Sequence, residues 1–252
     1  MNDLVSSESA TREKERPFLS AQWLDLAILN YCVSPDLLRP FVPTGTELDE
    51  WRGNLYVSVV GFRFVSTRVL GISIPGHRNF EEVNLRFYVR RAAPDGWRRG
   101  VVFIRELVPR RAIAWVARAM YNEPYRALPM RHDLSRGPGE SVRLKYEWNQ
   151  DGRWDGLSLV TAGPSTRIMP GSEQEFITEH FWGYTRQRNG TTVEYNVRHP
   201  AWCVADAKSA ELRANVASLY GQQFVTALSG MPASAFLADG SDVVVDRPRV
   251  ME

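Results

Sequence analysis

The sequence predicts a mainly β, α+β protein: one antiparallel β barrel or sandwich carrying a few peripheral helices. Three observations lead there. Apolar and polar residues alternate with period two in several stretches, most plainly in FEEVNLRFYV at 80–89, as half-buried strands do. Turn pairs at Asp95-Gly96, Asp151-Gly152 and Asn189-Gly190 join such stretches directly into hairpins. Helical patterns are confined to two or three isolated segments, which argues against an alternating βαβ fold.

Taken in order, residues 1–16 are polar and would lose more entropy on ordering than their burial could return, so a disordered leader is expected before one domain at 17–252. Pro17 to Tyr31 holds enough apolar surface to enter the core as a strand or short helix. Ser34 before Pro35 is an N-cap with proline at the first helical position, giving a helix of one or two turns that stops between Pro40 and Pro43. From Glu47 to Val65 a turn at Arg52, Gly53 and Asn54 implies a hairpin. There Leu55, Val57 and Val59 hold one phase and Phe62 and Phe64 the other, which predicts a bulge at Val60 and Gly61. The glycine- and proline-rich loop from Gly71 to Asn79 reads either as a cover beside a pocket or as an ordinary connection.

After the strand that starts at Phe80, VVFIRELV is apolar on both faces and fits a central strand. Arg111 to Tyr121 suits a helix, with Ile113, Val116 and Met120 on one face and Pro124 as the stop. Strands are expected at Tyr125 to His132, Ser141 to Trp148 and Trp154 to Thr161, a short helix at Glu173 to His180, and strands again at Phe181 to Gln187 and Thr192 to His199. Leu212, Val216, Leu219 and Tyr220 form an apolar stripe that predicts a helix from Ser209 to Phe224. Val243 to Val245 makes a last short strand.

Composition bounds function. With 252 residues, 44% apolar and 24% charged, the chain can bury a sizeable core. A net charge of +2 without a basic tail does not imply nucleic acid, and no apolar run approaches the roughly 18 residues of a membrane span. The lysines are Lys14, Lys145 and Lys208. Cys32 and Cys203 form no CxxC and read as thiols in a reducing cytosol, so a cytoplasmic location is expected. His77, His132, His180 and His199 contain no i, i+4 pair, so neither a metal site nor another cofactor is implied. RGPGES lacks a following lysine motif, and there is no GxSxG elbow.

On the 80–89 strand, Glu82, Asn84, Arg86 and Tyr88 share one face and Val83, Leu85, Phe87 and Val89 the other. That polar face meets either water or a cavity. In a cavity, Glu82 would be desolvated and its pKa raised into the range where a carboxyl both gives and takes protons; otherwise it pairs structurally with Arg86 or Arg126. Arg86 and Arg126 could clamp a carboxylate, or merely neutralise Glu82 or Glu123. Tyr125 is a hydrogen-bond donor, a phenolate lowered by the arginines, or a wall residue. His199 shares its phase with Val193, Tyr195 and Val197, facing a cavity or the core.

FEEVNLRFYV, ARAMYNEPYRALPM and YNVRHPAW, in that order, resemble the uncharacterised YqjF-like family of the acetoacetate decarboxylase-like superfamily. The resemblance spans Phe18 to the C-terminal helix and implies a deep antiparallel β barrel or cone around a central cavity. Decarboxylases of that superfamily form a Schiff base through a lysine that follows a proline. Here the proline corresponds to Pro124, the nucleophile to Tyr125 and its neighbouring cation to Arg126, while the family acid corresponds to Glu82; a phenol forms no imine.

Two readings follow. Either a lysine-independent enzyme binds a small carboxylate or carbonyl compound, with Glu82 and Tyr125 catalytic and Asn84, Arg86, Arg126 and His199 binding, or the same barrel is a non-catalytic ligand-binding or sensing module. A structural subunit with a vestigial cavity is a third. The expected partner is a small acid, with a homo-oligomer left open.

Overall fold

The computed structural model describes residues 17–115 and 122–251. The expected leader at 1–16 and the second half of the Arg111–Tyr121 helix lie outside them; residues 111–115 are helical. The strands are β1 (Leu19–Val33), β2 (Glu47–Leu48), β3 (Leu55–Val69), β4 (Phe80–Ala93), β5 (Gly96–Val108), β6 (Tyr125–Ala127), β7 (Met130–Arg136), β8 (Val142–Gln150), β9 (Arg153–Thr161), β10 (Thr166–Arg167), β11 (Trp182–Arg186), β12 (Thr192–Arg198), β13 (Cys203–Arg213), β14 (Ser234–Val245) and β15 (Arg249–Val250).

Pairing runs β12, β11, β5, β4, β3, β1, β14, and β14 meets β12 again through Val197 opposite Val245, so these strands close a ring. From β14 the sheet continues outward through β13, β9, β8 and β7, which fold back over the outside of β3 and β4. Pairing is antiparallel except where β11 and β6 each lie parallel to β5. Among the described residues no helix is long and apolar enough to cross a membrane.

Two apolar layers follow from strand alternation. Val83, Leu85, Phe87 and Val89 of β4 pack outward with Val57 and Val59 of β3 against Leu144, Tyr146, Trp148, Leu157 and Leu159. The other phase, including Val60, Phe62, Phe64, Phe80 and Tyr88, lies inside the ring.

The expected bulge at Val60 and Gly61 is not there: β3 pairs with β4 without interruption from Val57 opposite Phe87 to Phe64 opposite Phe80. Both faces of β3 are buried, so apolar residues occur in both phases without a register change. The irregularities fall on β1 between Leu24 and Ala27, where Asp25 adopts a φ of 55°, and at the far end of β3 between Val65 and Arg68, where Ser66 adopts a φ of 57°. Gly61 is required for a different reason, since a Cβ there would lie 2.6 Å from the Tyr146 ring.

The turn at Arg52 and Gly53 exists, but β2 pairs with β4 and not with β3. The helices Pro35–Leu38 and Glu173–Thr178 stand as expected, and Asp151-Gly152 is a two-residue turn. The single strand expected at Tyr125 to His132 is split, because Pro129 offers no N–H and the chain leaves β5 for β8 at that point.

The helix expected from Ser209 to Phe224 is the largest correction. Residues Cys203–Arg213 form β13, and the helix is limited to Val216–Tyr220. Ala210, Leu212 and Ala214 pack on the outer core while Glu211 and Arg213 are exposed, a period of two that the 3.6-residue stripe masked. Val243 to Val245, expected as a short strand of its own, is the end of the twelve-residue β14, a strand of the ring.

Candidate functional site

Inside the ring is a cavity of about 240 Å³ whose walls are mostly aromatic and aliphatic, including Trp23, Phe62, Phe64, Phe80 and Trp202. Ile72, Ile74 and His77, from the Gly71 to Asn79 loop, also line it, so that loop borders the pocket. Its polar groups come from neighbouring strands. Alternation on β4 turns Glu82, Asn84 and Arg86 inward. On β5 a bulge between Phe103 and Arg105 changes the phase: Arg86 lies opposite Phe103 but Leu85 opposite Arg105. The bulge aims Glu106 into the cavity, whereas strict alternation from Val101 and Phe103 would have sent Arg105 there. Register then sets Asn84, Glu106 and Tyr125 side by side across three strands.

Glu82 is 3% exposed, Glu106 1% and Glu123 6%. Tyr125 donates its hydroxyl to Glu82 Oε2 at 3.2 Å, and Asn84 Nδ2 donates to Glu82 Oε1 at 3.1 Å. Glu123 accepts hydrogen bonds from the hydroxyls of Tyr195 and Thr185, and its carboxyl also meets that of Glu106. Burial opposes charge on all three acids, and their mutual repulsion adds to it for Glu82 and Glu106. Glu82 is pushed up to about 8 and Glu123 to about 7, with Glu106 raised well above its ordinary value. The cluster therefore retains protons near neutral pH. Burial and the three carboxyls also raise Tyr125, so it is a neutral donor and not the phenolate that nearby arginines would favour.

Arg86 donates through Nη2 to the Ile177 carbonyl at 3.2 Å, and among the described lining residues it is the one arginine or lysine. His199 also lines the cavity; its ring stacks on Trp202 at 4.1 Å, and burial lowers its pKa. His180, given no role in the sequence reading, lines it too, with Nε2 3.0 Å from Asp49 Oδ2.

Thus the structure brings Glu82, Asn84, Arg86, Tyr125 and His199 to one cavity. Arg126 is not among its lining residues, because the next position on β6 after an inward Tyr125 points away. Lys145 lies on β8 outside the ring, 2.6 Å from Glu147, and Lys208 is exposed on β13. Glu106 and Glu123 are the acids that sequence reasoning passed over. Among the described residues no group of three or more His, Cys, Asp or Glu is placed to hold a metal ion.

Comparison with known proteins agrees with this architecture. The family model DUF2071, described as an uncharacterized conserved protein, matches residues 20–242. The YqjF protein of Bacillus subtilis (strain 168) is 26% identical over 194 residues, 77% of each chain. Among solved structures, the enduracididine biosynthesis enzyme MppR complexed with pyruvate is similar with a TM-score of 0.67 and 14% identity, covering 99% of this chain and 96% of its own. Acetoacetate decarboxylase from Legionella pneumophila gives 0.62 and 15%, covering 94% and 87%. At those identities the likeness establishes the fold alone.

Proposed function

The chain belongs to the DUF2071 family, with an acetoacetate decarboxylase-like fold, and on that premise we propose that it is a cytosolic protein that binds a small carboxylate or carbonyl compound and transfers a proton on it without a lysine. The observation that carries this reading is the enclosed Glu82 carboxyl, held by Tyr125 and Asn84 at the polar end of an otherwise apolar cavity. A carboxyl raised to about 8 is divided between its acid and base forms near neutral pH, which is what general acid–base work needs.

Arg86 would anchor a ligand carboxylate, and Tyr125 would turn its one hydroxyl proton from Glu82 to a carbonyl oxygen of the ligand. Ionised Glu82 would then take a proton from the carbon next to that carbonyl. The electron pair moves onto the oxygen as an enolate, stabilised by the tyrosine hydroxyl, and the same proton or one from solvent returns to the carbon. Among the described residues no lysine lines the cavity, so no step of this reading runs through an imine.

The test is α-hydrogen exchange. In D₂O, 2-oxobutyrate should incorporate deuterium faster with the protein than without it, and Glu82→Gln should lower the protein-dependent rate by about 100-fold or more while leaving affinity in place. Affinity lost with Glu82→Gln, and no exchange with the unaltered protein, would favour a recognition module and sink the proton-transfer reading.

A further inference from the structure

The polar end of the cavity has hydrogen-bonding capacity that the described residues do not fill. Asn84 Oδ1 and Glu106 Oε2 are buried acceptors without a partner among the described residues, and Arg86 Nε is a buried donor in the same condition. Both acceptor residues are at least nine-tenths buried and line the cavity, and their Cα atoms face each other directly across β4 and β5. Arg86 is the next inward residue along β4. Buried polar groups left unmatched are costly, so such a niche selects an occupant of complementary pattern. Above it the walls are apolar, with Phe64 stacked on Phe80 at 4.6 Å and Trp23 against Phe62 at 5.1 Å. The rim continues that character: Ile72 and Ile74 line the cavity and remain 67% and 46% exposed.

We infer that the ligand is amphipathic, with an apolar body and a head that sets a hydrogen-bond donor, a hydroxyl or ammonium, beside a carboxylate. An ammonium meets both Asn84 Oδ1 and Glu106 Oε2 and a hydroxyl meets one of them, the carboxylate meets Arg86, and the body lies along the aromatic walls. A plain acid leaves both acceptors unmatched, and a small acid leaves the walls unused. This rests on the proposed site and concerns its recognition alone: the acids that fit best carry a hydroxyl or ammonium and an apolar body, and 2-oxobutyrate serves as the small probe of its chemistry.

The experiment is calorimetric titration of the full chain with 3-phenylpropionate, 3-phenyllactate, phenylalanine and lactate. Phenyllactate or phenylalanine should bind about tenfold more tightly than phenylpropionate, and lactate at least about tenfold more weakly than phenyllactate. Tighter binding of phenyllactate identifies the donor as hydroxyl, and of phenylalanine as ammonium. In Asn84→Ala the advantage over phenylpropionate should shrink; the comparison on the unaltered protein stands even if that variant fails to fold. Equal binding of phenylpropionate and both donor-bearing acids would mean that water satisfies the niche, and would overturn the inference while leaving the site. Lactate binding as tightly as phenyllactate would overturn the apolar body. Binding of none of them at millimolar concentration would overturn the inference, while the site on which it rests stands or falls with the exchange of 2-oxobutyrate.

Discussion

The two faces of β4 are buried almost equally and do opposite things. Leu85 and Phe87 are fully enclosed between the ring and strands β8 and β9, touching other apolar side chains. Glu82 and Asn84 are 3% and 2% exposed, yet what surrounds them is a cavity and each other. Burial alone therefore does not separate the part of the strand that makes the fold from the part that makes the site. The difference lies in whether the neighbouring volume is filled, and in whether the buried groups have every partner they need.

Substitutions at alternate positions can break that comparison. Phe87→Ala should cost about 3–5 kcal/mol in urea unfolding, since the rigid sheet behind it cannot collapse into the space. Glu82→Gln, five residues away, keeps shape and should change stability at pH 4.5, where the unfolded carboxyl is still largely protonated, by less than about 1 kcal/mol, and it should remove exchange activity. If Glu82→Gln destabilised as much as Phe87→Ala, the inner face would be structural core and the division would fail.

The outer face was legible because alternation is local: Val83, Leu85 and Phe87 declare their side by spacing alone, and so do Glu82, Asn84 and Arg86. The Asp151-Gly152 turn was legible for the same reason, whereas the turn before β5 is Pro94-Asp95 with Gly96 already paired, and Asn189-Gly190 lies in a five-residue loop. Glu106 was not, because its direction depends on a bulge that shows up only in how β5 pairs with β4, and VVFIRELV has apolar residues in both phases. Glu123 sits before β6 in a connection with no periodicity to read. The misread helix at Ser209 has a similar cause: Leu212 and Val216 satisfy helical spacing, while β13 owes its existence to β9 and β14, strands distant in sequence.

Acidity sharpens the comparison, because only the inner face titrates. The native state keeps protons on Glu82 and Glu123 up to about 8 and 7, while the unfolded chain releases them near the ordinary value of 4.5. Between those limits the native state binds more protons, so stability falls as pH rises. The slope is up to about 1.4 kcal/mol per pH unit for each retained proton. Stability from these groups is therefore complete below about pH 4.5 and lost by the time pH passes 8. Thermal melts from pH 5 to 9 should show this slope, shallower in Glu82→Gln and unchanged in outer-face variants such as Leu85→Val. A melting temperature that rose between pH 6.5 and 8, above the range in which the buried His180 and His199 add stability as pH rises, would mean that the acids are ionised in the native state.

The smallest effect belongs to Lys145, which tests the boundary of the site. It follows Leu144 and precedes Tyr146 on β8; both of those pack inward, so its side chain points to solvent. Its partner Glu147 also accepts from Arg131 at 2.8 Å, so losing one cation leaves that carboxylate paired. A half-exposed ion pair of this kind contributes no more than about 1 kcal/mol, and Lys145→Ala should stay within that limit with exchange activity intact. Borohydride added with 2-oxobutyrate should leave no reduced adduct on Lys145 or Lys208 in peptide mass mapping. A mass increase on either would mean that an amine reaches the carbonyl after all, and the assignment of proton transfer to the inner face of β4 would give way to imine chemistry.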